Sequence, residues 1–81
     1  MKLGIYVMND KRSTYMTPSF DFNDACAIRN FEHALDNDQS LMFTHPEDFS
    51  IYKIGDYDNV SGVITPCNPV ILADGVGTVI E

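Results

Sequence analysis

Asp21-Phe22-Asn23-Asp24-Ala25-Cys26-Ala27-Ile28-Arg29-Asn30-Phe31-Glu32-His33-Ala34-Leu35 is the run that decides the fold. Ala27, Ile28, Phe31, Ala34 and Leu35 recur at helical spacing, with Asn30, Glu32 and His33 between them, so one side of a helix is apolar. Asp21, Asn23 and Asp24 stand at its start. Their side chains can accept hydrogen bonds from unpaired amides, and their charge suits the positive end of the helix. Asp36-Asn37-Asp38 favours a turn and ends it. No other stretch shows this spacing, so a single helix must find its cover elsewhere.

Strand patterns lie on both sides of it. Upstream, Leu3, Ile5 and Val7 alternate with Gly4, Tyr6 and Met8, which predicts a half-buried strand. The polar run Asn9-Asp10-Lys11-Arg12-Ser13 reads as a turn. Thr14–Thr17 then reads as the returning strand, closed by Pro18, so a first hairpin spans Lys2–Thr17. Downstream, Thr44-His45-Pro46-Glu47 fits a capping box and predicts one short helical turn. Phe49–Tyr57 is rich in β-branched and aromatic residues and predicts a strand. Asp58–Gly62 is a turn, and Val63-Ile64-Thr65 begins the partner strand of a second hairpin. Pro66-Cys67-Asn68-Pro69 reads as irregular, and Val70–Ala73 as a further short strand. The order is β-β-α-β-β. The architecture expected is α+β: a small antiparallel sheet with one main helix packed on one face. Residues 1–75 form a single domain in this reading, and Gly75 and Gly77 point to mobility of the tail 76–81. Val79-Ile80 in that tail suits docking on a neighbouring subunit.

Eighty-one residues suffice for one domain with a thin stability margin, and self-association commonly relieves that margin. A homo-oligomer is therefore expected. Twelve acidic residues face five basic ones, for a net charge of −7. That field repels DNA, so any nucleic-acid contact must come from a local basic patch, from assembly or through another protein. Lys11-Arg12 is the one adjacent basic pair, and Lys2 and Lys53 join it if their strands are neighbours. Tyr6, Tyr15, Tyr52 and Tyr57 are candidate stacking faces on a sheet, although filling the sheet is the preferred role for them.

Catalytic and metal chemistry find little support. Cys26, His33, His45 and Cys67 lack any Cys-x-x-Cys or His-x-x-x-His spacing. The cysteines read as free thiols packed as small apolar residues, and His33 as a helix-surface residue. Asp36, Asp38, Glu47 and Asp48 could gather around a cation, but acidic clustering is expected at this net charge. Gly75-Val76-Gly77 lacks the third glycine and the helix of a dinucleotide loop. The expectation is a binding protein rather than an enzyme, with no cofactor and no metal. No apolar run is long enough for a signal peptide or a membrane span, so the chain is expected to stay where it is made.

Several blocks together resemble a known family. They are Ala27-Ile28-Arg29-Asn30-Phe31 with Ala34-Leu35, Ser40, His45-Pro46-Glu47-Asp48-Phe49, Tyr52, Ile54-Gly55, Tyr57-Asp58, Gly62, Thr65-Pro66 and Pro69. The start, Met1-Lys2-Leu3 leading to Met16-Thr17-Pro18, fits as well. The series is similar to the small nonstructural protein of the gokushoviruses, single-stranded DNA phages of the Microviridae. Asp38 departs from it, since that family often has proline there. The resemblance implies a nonstructural phage protein of the infected bacterial cytoplasm. It implies a role in viral DNA replication or in the switch to single-stranded DNA production, with DNA binding. It carries over no catalytic residue. Two readings follow. The first is a single-stranded DNA binder using a basic strip of Lys2, Lys11, Arg12 and Lys53. The second is an acidic module that docks on a viral replication or assembly protein or on a host factor.

Overall fold

The computed structural model describes residues 1–78, and the side chains of residues 1–76. The elements run β1 (Lys2–Asp10), β2 (Ser19–Asp21), α1 (Asp24–Leu35), α2 (Leu41–Thr44), a 3-10 turn (Pro46–Asp48), β3 (Phe49–Asp58), β4 (Ile64–Asp74) and β5 (Gly77–Thr78). The strands form one antiparallel sheet in the order β2-β1-β3-β4-β5, with α1 on one side. This is the α+β architecture expected.

The helix starts where its polar lead-in directs. Asn23 is the N-cap, and its side chain accepts from the Cys26 amide at 2.9 Å. Ala27, Ile28 and Phe31 are buried and meet Tyr6, Ile51, Leu72 and Ala73 of the sheet. Phe31 is fully enclosed and is the centre of the core.

Three expectations need correction. The return strand of the first hairpin is not Thr14–Thr17. Only an isolated bridge, Asn9 to Tyr15, forms there, and Ser19–Asp21 pairs with Gly4–Tyr6 instead. Pro18 has no amide hydrogen for a ladder, so pairing begins after it. The Thr44 capping box does not form. Thr44 Oγ1 lies 3.3 Å from the Leu41 carbonyl and 2.8 Å from His45 Nδ1, and the 3-10 turn has no side-chain cap. A further helical turn, α2, precedes it with Ser40 as N-cap, accepting from the Met42 amide. Finally, Pro66–Pro69 does not interrupt the sheet. β4 runs unbroken from Ile64 to Asp74, and the prolines sit at a register shift opposite Lys53–Gly55. A bulge beside a lightly covered edge tolerates residues without amide donors.

Gly55 sits in that bulge. A Cβ there would stand 2.7 Å from the Thr65 carbonyl oxygen, so the two backbones approach too closely for any side chain. In the β3–β4 turn, Asp58 accepts from the Val60 and Ser61 amides, and Gly62 takes φ +78°. Those two amides are the main reason that the Asp58 carboxyl is held below its usual range. Of the tail, the Gly77–Thr78 backbone pairs with Ala73–Asp74, while the proposed docking residues Val79-Ile80 lie outside the described residues.

Candidate functional site: the open face of the sheet

Side chains alternate across a strand, so the sheet has a second side that α1 does not touch. Cross-strand register identifies its rows: Leu3–Tyr57–Ile64, then Phe20–Ile5–Gly55–Pro66, then Val7–Tyr52–Ile71. The bulge at Lys53–Gly55 brings Tyr52 and Tyr57 to the same side despite their odd spacing. β1 is therefore not half-buried, as its alternation suggests. Gly4, Ile5, Tyr6 and Val7 are all buried. Tyr6 faces the helix, whereas Ile5 and Val7 lie on the open side.

Aromatic rings dominate this open side. Tyr15 meets Tyr52 edge-on, with ring centroids 5.7 Å apart. Phe20 and Tyr57 are tilted at 5.3 Å. Tyr15 is 49% exposed, Phe20 51% and Ile64 57%, so the outer layer of the face lies open to water. Large apolar side chains gathered this way on a small domain mark a contact surface more often than chance exposure.

The same register places almost no charge on it. Among the described residues of these strands, Asp74, opposite Ser50 at one end, is the one charged residue that pairing assigns to this side. Lys2, Asp56 and Asp58 pair on the helix side. Lys53 does too, where its Nζ lies 3.3 Å from Asp56 and 3.9 Å from Asp24. The Tyr6 hydroxyl donates to Asp24 at 2.7 Å in the same cluster. Burial first, and then Asp24, push the Tyr6 phenol well above its ordinary value.

The four candidate DNA-binding cations split into two pairs. Lys2 and Lys53 line one open cleft of about 420 Å³ with Asp24 and Asp56. Lys11 and Arg12 follow the far end of β1, roughly 30 Å along a strand of that length. There Lys11 Nζ donates to the Glu47 carbonyl at 3.1 Å, and Arg12 Nε lies 3.7 Å from Asp48. Of the four candidate stacking tyrosines, Tyr6 is buried beneath the helix, and Tyr15, Tyr52 and Tyr57 share the open face. Sequence reading missed the apolar partners of those rings. Phe20 fell between the expected hairpin and the helix, Ile64 was read as part of the partner strand, and their register with Ile5 and Tyr57 makes the surface.

The remaining chemistry-bearing residues stay apart. Cys26 and Cys67 are both free. Cys67 is exposed and Cys26 partly so, which corrects the expectation that both pack in the core. His33 lies exposed on α1, and His45 is exposed beside the 3-10 turn. Among the described residues, no three His, Cys, Asp or Glu side chains are placed to hold a metal ion. No helix among them is long and apolar enough to cross a membrane.

In comparisons with known proteins, the family described as phage ORF5 protein matches residues 3–78. No curated protein and no solved structure matches the chain.

Proposed function

The chain belongs to the phage ORF5 protein family, and from that premise we propose that it is a non-catalytic accessory protein that acts by docking through its open sheet face. We place its work in viral DNA replication or the switch to single-stranded DNA production, in the host cytoplasm. The blocks from Ala27 to Pro69 that resemble the gokushovirus nonstructural protein support that placement. The observation that carries the docking reading is an exposed, nearly uncharged aromatic surface on a chain of charge −7. A partner protein loses apolar area to such a surface without meeting carboxylates.

Charge weighs against DNA as the first partner. Specific and nonspecific binding alike draw on displaced counterions, and about 6 to 10 phosphate contacts give strong salt dependence. This chain has five cations in all, and three of the four candidates already face a carboxylate or a carbonyl. Exposed ion pairs of this kind are worth little and can exchange for phosphate. The greater obstacle is position: Lys2 begins β1, Lys53 pairs with Tyr6 at its middle and turns back towards Asp56, and Lys11 and Arg12 follow its far end.

A single-stranded DNA reading keeps one specific support. Tyr15 and Tyr52 meet edge-on beside the turn that carries Lys11 and Arg12, so a base laid on the exposed Tyr15 ring could have its phosphates held by the two cations. Anisotropy titration of a labelled single-stranded oligonucleotide at low salt separates the readings. The docking reading expects no saturable binding of the oligonucleotide, together with a protein–protein contact through the open face that charged substitutions on that face abolish. Affinity that falls steeply with salt, and is lost in Lys11→Ala/Arg12→Ala, would replace docking with DNA binding.

A further inference from the structure

We infer that the open sheet face is closed by a second copy of this chain, forming a symmetric dimer of two sheets packed face to face. The inference rests on the docking reading above and names the partner. Self-association demands a surface that does not repel itself, because a two-fold interface sets the same patch against itself. On a chain of charge −7 that condition is restrictive, and this face meets it. Residues 59–73, which supply one flank, contain no charged residue. The two central rows contain none either. Most of the chain's charges lie on the helix side and in the loops, where a face-to-face dimer keeps them in water.

Edge-to-edge pairing is the competing way to join two copies. Among the described residues, β4 has an outer edge that β5 covers only at Ala73 and Asp74. Pro66 and Pro69 fall within the uncovered part and remove amide donors from it. The other edge strand, β2, is three residues long. Both edges are thus poor templates for strand pairing, which leaves face-to-face packing as the way for the sheet to join two copies.

Area sets the strength. β3 has ten residues, so the face measures roughly 33 Å by 19 Å from strand rise and spacing, about 600 Å². Two copies would bury about 1,200 Å², at the lower limit of specific interfaces. The dimer should therefore be reversible and concentration-dependent. Aligned sheets pack about 10 Å apart, which the Tyr52 and Tyr57 rings and the Ile64 and Ile71 side chains can fill.

Sedimentation equilibrium of the full chain, over a concentration series reaching about 1 mM, tests this together with two variants. Ile71→Asp, in the Tyr52 row, and Ile64→Asp, in the Tyr57 row, each place a carboxylate on the face. Circular dichroism checks that each is folded, and two positions guard against one failing to fold. The wild type is expected to dimerise, and each folded variant to raise the dimer Kd at least tenfold. Phe43→Asp, on the helix side, should leave Kd unchanged. A wild type that stays at the 9.1 kDa monomer mass overturns the dimer. So does a dimer that both face variants leave intact. Co-purification from phage-producing cells separates the two claims. A monomeric wild type whose partner is lost in the face variants defeats the dimer and keeps the docking reading. Variants that alter neither property defeat both.

Discussion

The two sides of the sheet are built from the same strands and similar residues, yet they end in opposite states. On one side Tyr6, Ile51, Leu72 and Ala73 are closed over by Ala27, Ile28 and Phe31 of α1. On the other, Ile5 and Val7 are buried by neighbouring rings, while those rings stay half-exposed. Charge divides the same way, with Lys53, Asp24 and Asp56 around the helix side and almost none on the open one. The chain thus has two apolar sheet faces and one long helix. One face is spent on folding, and the other is left for contact.

The contrast breaks most sharply at Phe31. Phe31→Ala empties the centre of the helix-covered side and should cost about 3 to 5 kcal/mol. A domain this small has a stability near the lower end of about 5 to 15 kcal/mol, so urea titration should find little of it left in the variant, with the unfolding midpoint moved close to zero urea. A smaller loss is expected from Tyr6→Phe, which removes the hydrogen bond to Asp24, at about 1.5 kcal/mol. Its pH dependence has a definite sign. The folded-state pKa of Tyr6 is raised above its ordinary 10.0, so its contribution is complete below pH 10 and is lost as pH rises towards the folded value. Denaturation of the wild type against alkaline pH should show that loss, and Tyr6→Phe should lack its share of it.

Asn23→Ala should cost about 1 kcal/mol by removing the α1 cap, with the open face unchanged. Ile64→Ser sharpens the comparison from the other side. It should alter monomer stability by no more than about 0.5 kcal/mol, measured by urea titration at low concentration, and still weaken association. An equal effect of Phe31→Ala and Ile64→Ser on stability would erase the distinction between the faces.

The helix-covered side was legible in the sequence, because Ala27, Ile28, Phe31, Ala34 and Leu35 repeat at one period and the strand patterns flank them. α1 and β3 lie where the pattern puts them. The open face was not legible, for three physical reasons. Pairing after Pro18 brought Phe20 against Ile5, beyond the Thr17 end of the expected return strand. The bulge beside Gly55 set Tyr52 and Tyr57 on one side, which simple alternation forbids. β4 absorbed Pro66 and Pro69, so Ile64 and Ile71 lie on one continuous strand. Register and bulges are tertiary outcomes that local composition does not encode. The basic strip failed to assemble for a similar reason, since Lys2 and Lys11 begin and follow the same strand.

Amide and methyl chemical shifts of the full chain, followed from about 20 µM to 1 mM, test the central claim that the uncovered face is the one that meets a partner. Concentration should move the signals of Ile5, Val7, Tyr52, Tyr57, Ile64 and Ile71 while those of Ala27, Ile28 and Phe31 stay fixed. Shifts confined to α1 and α2, with the strand signals unmoved, would contradict the account.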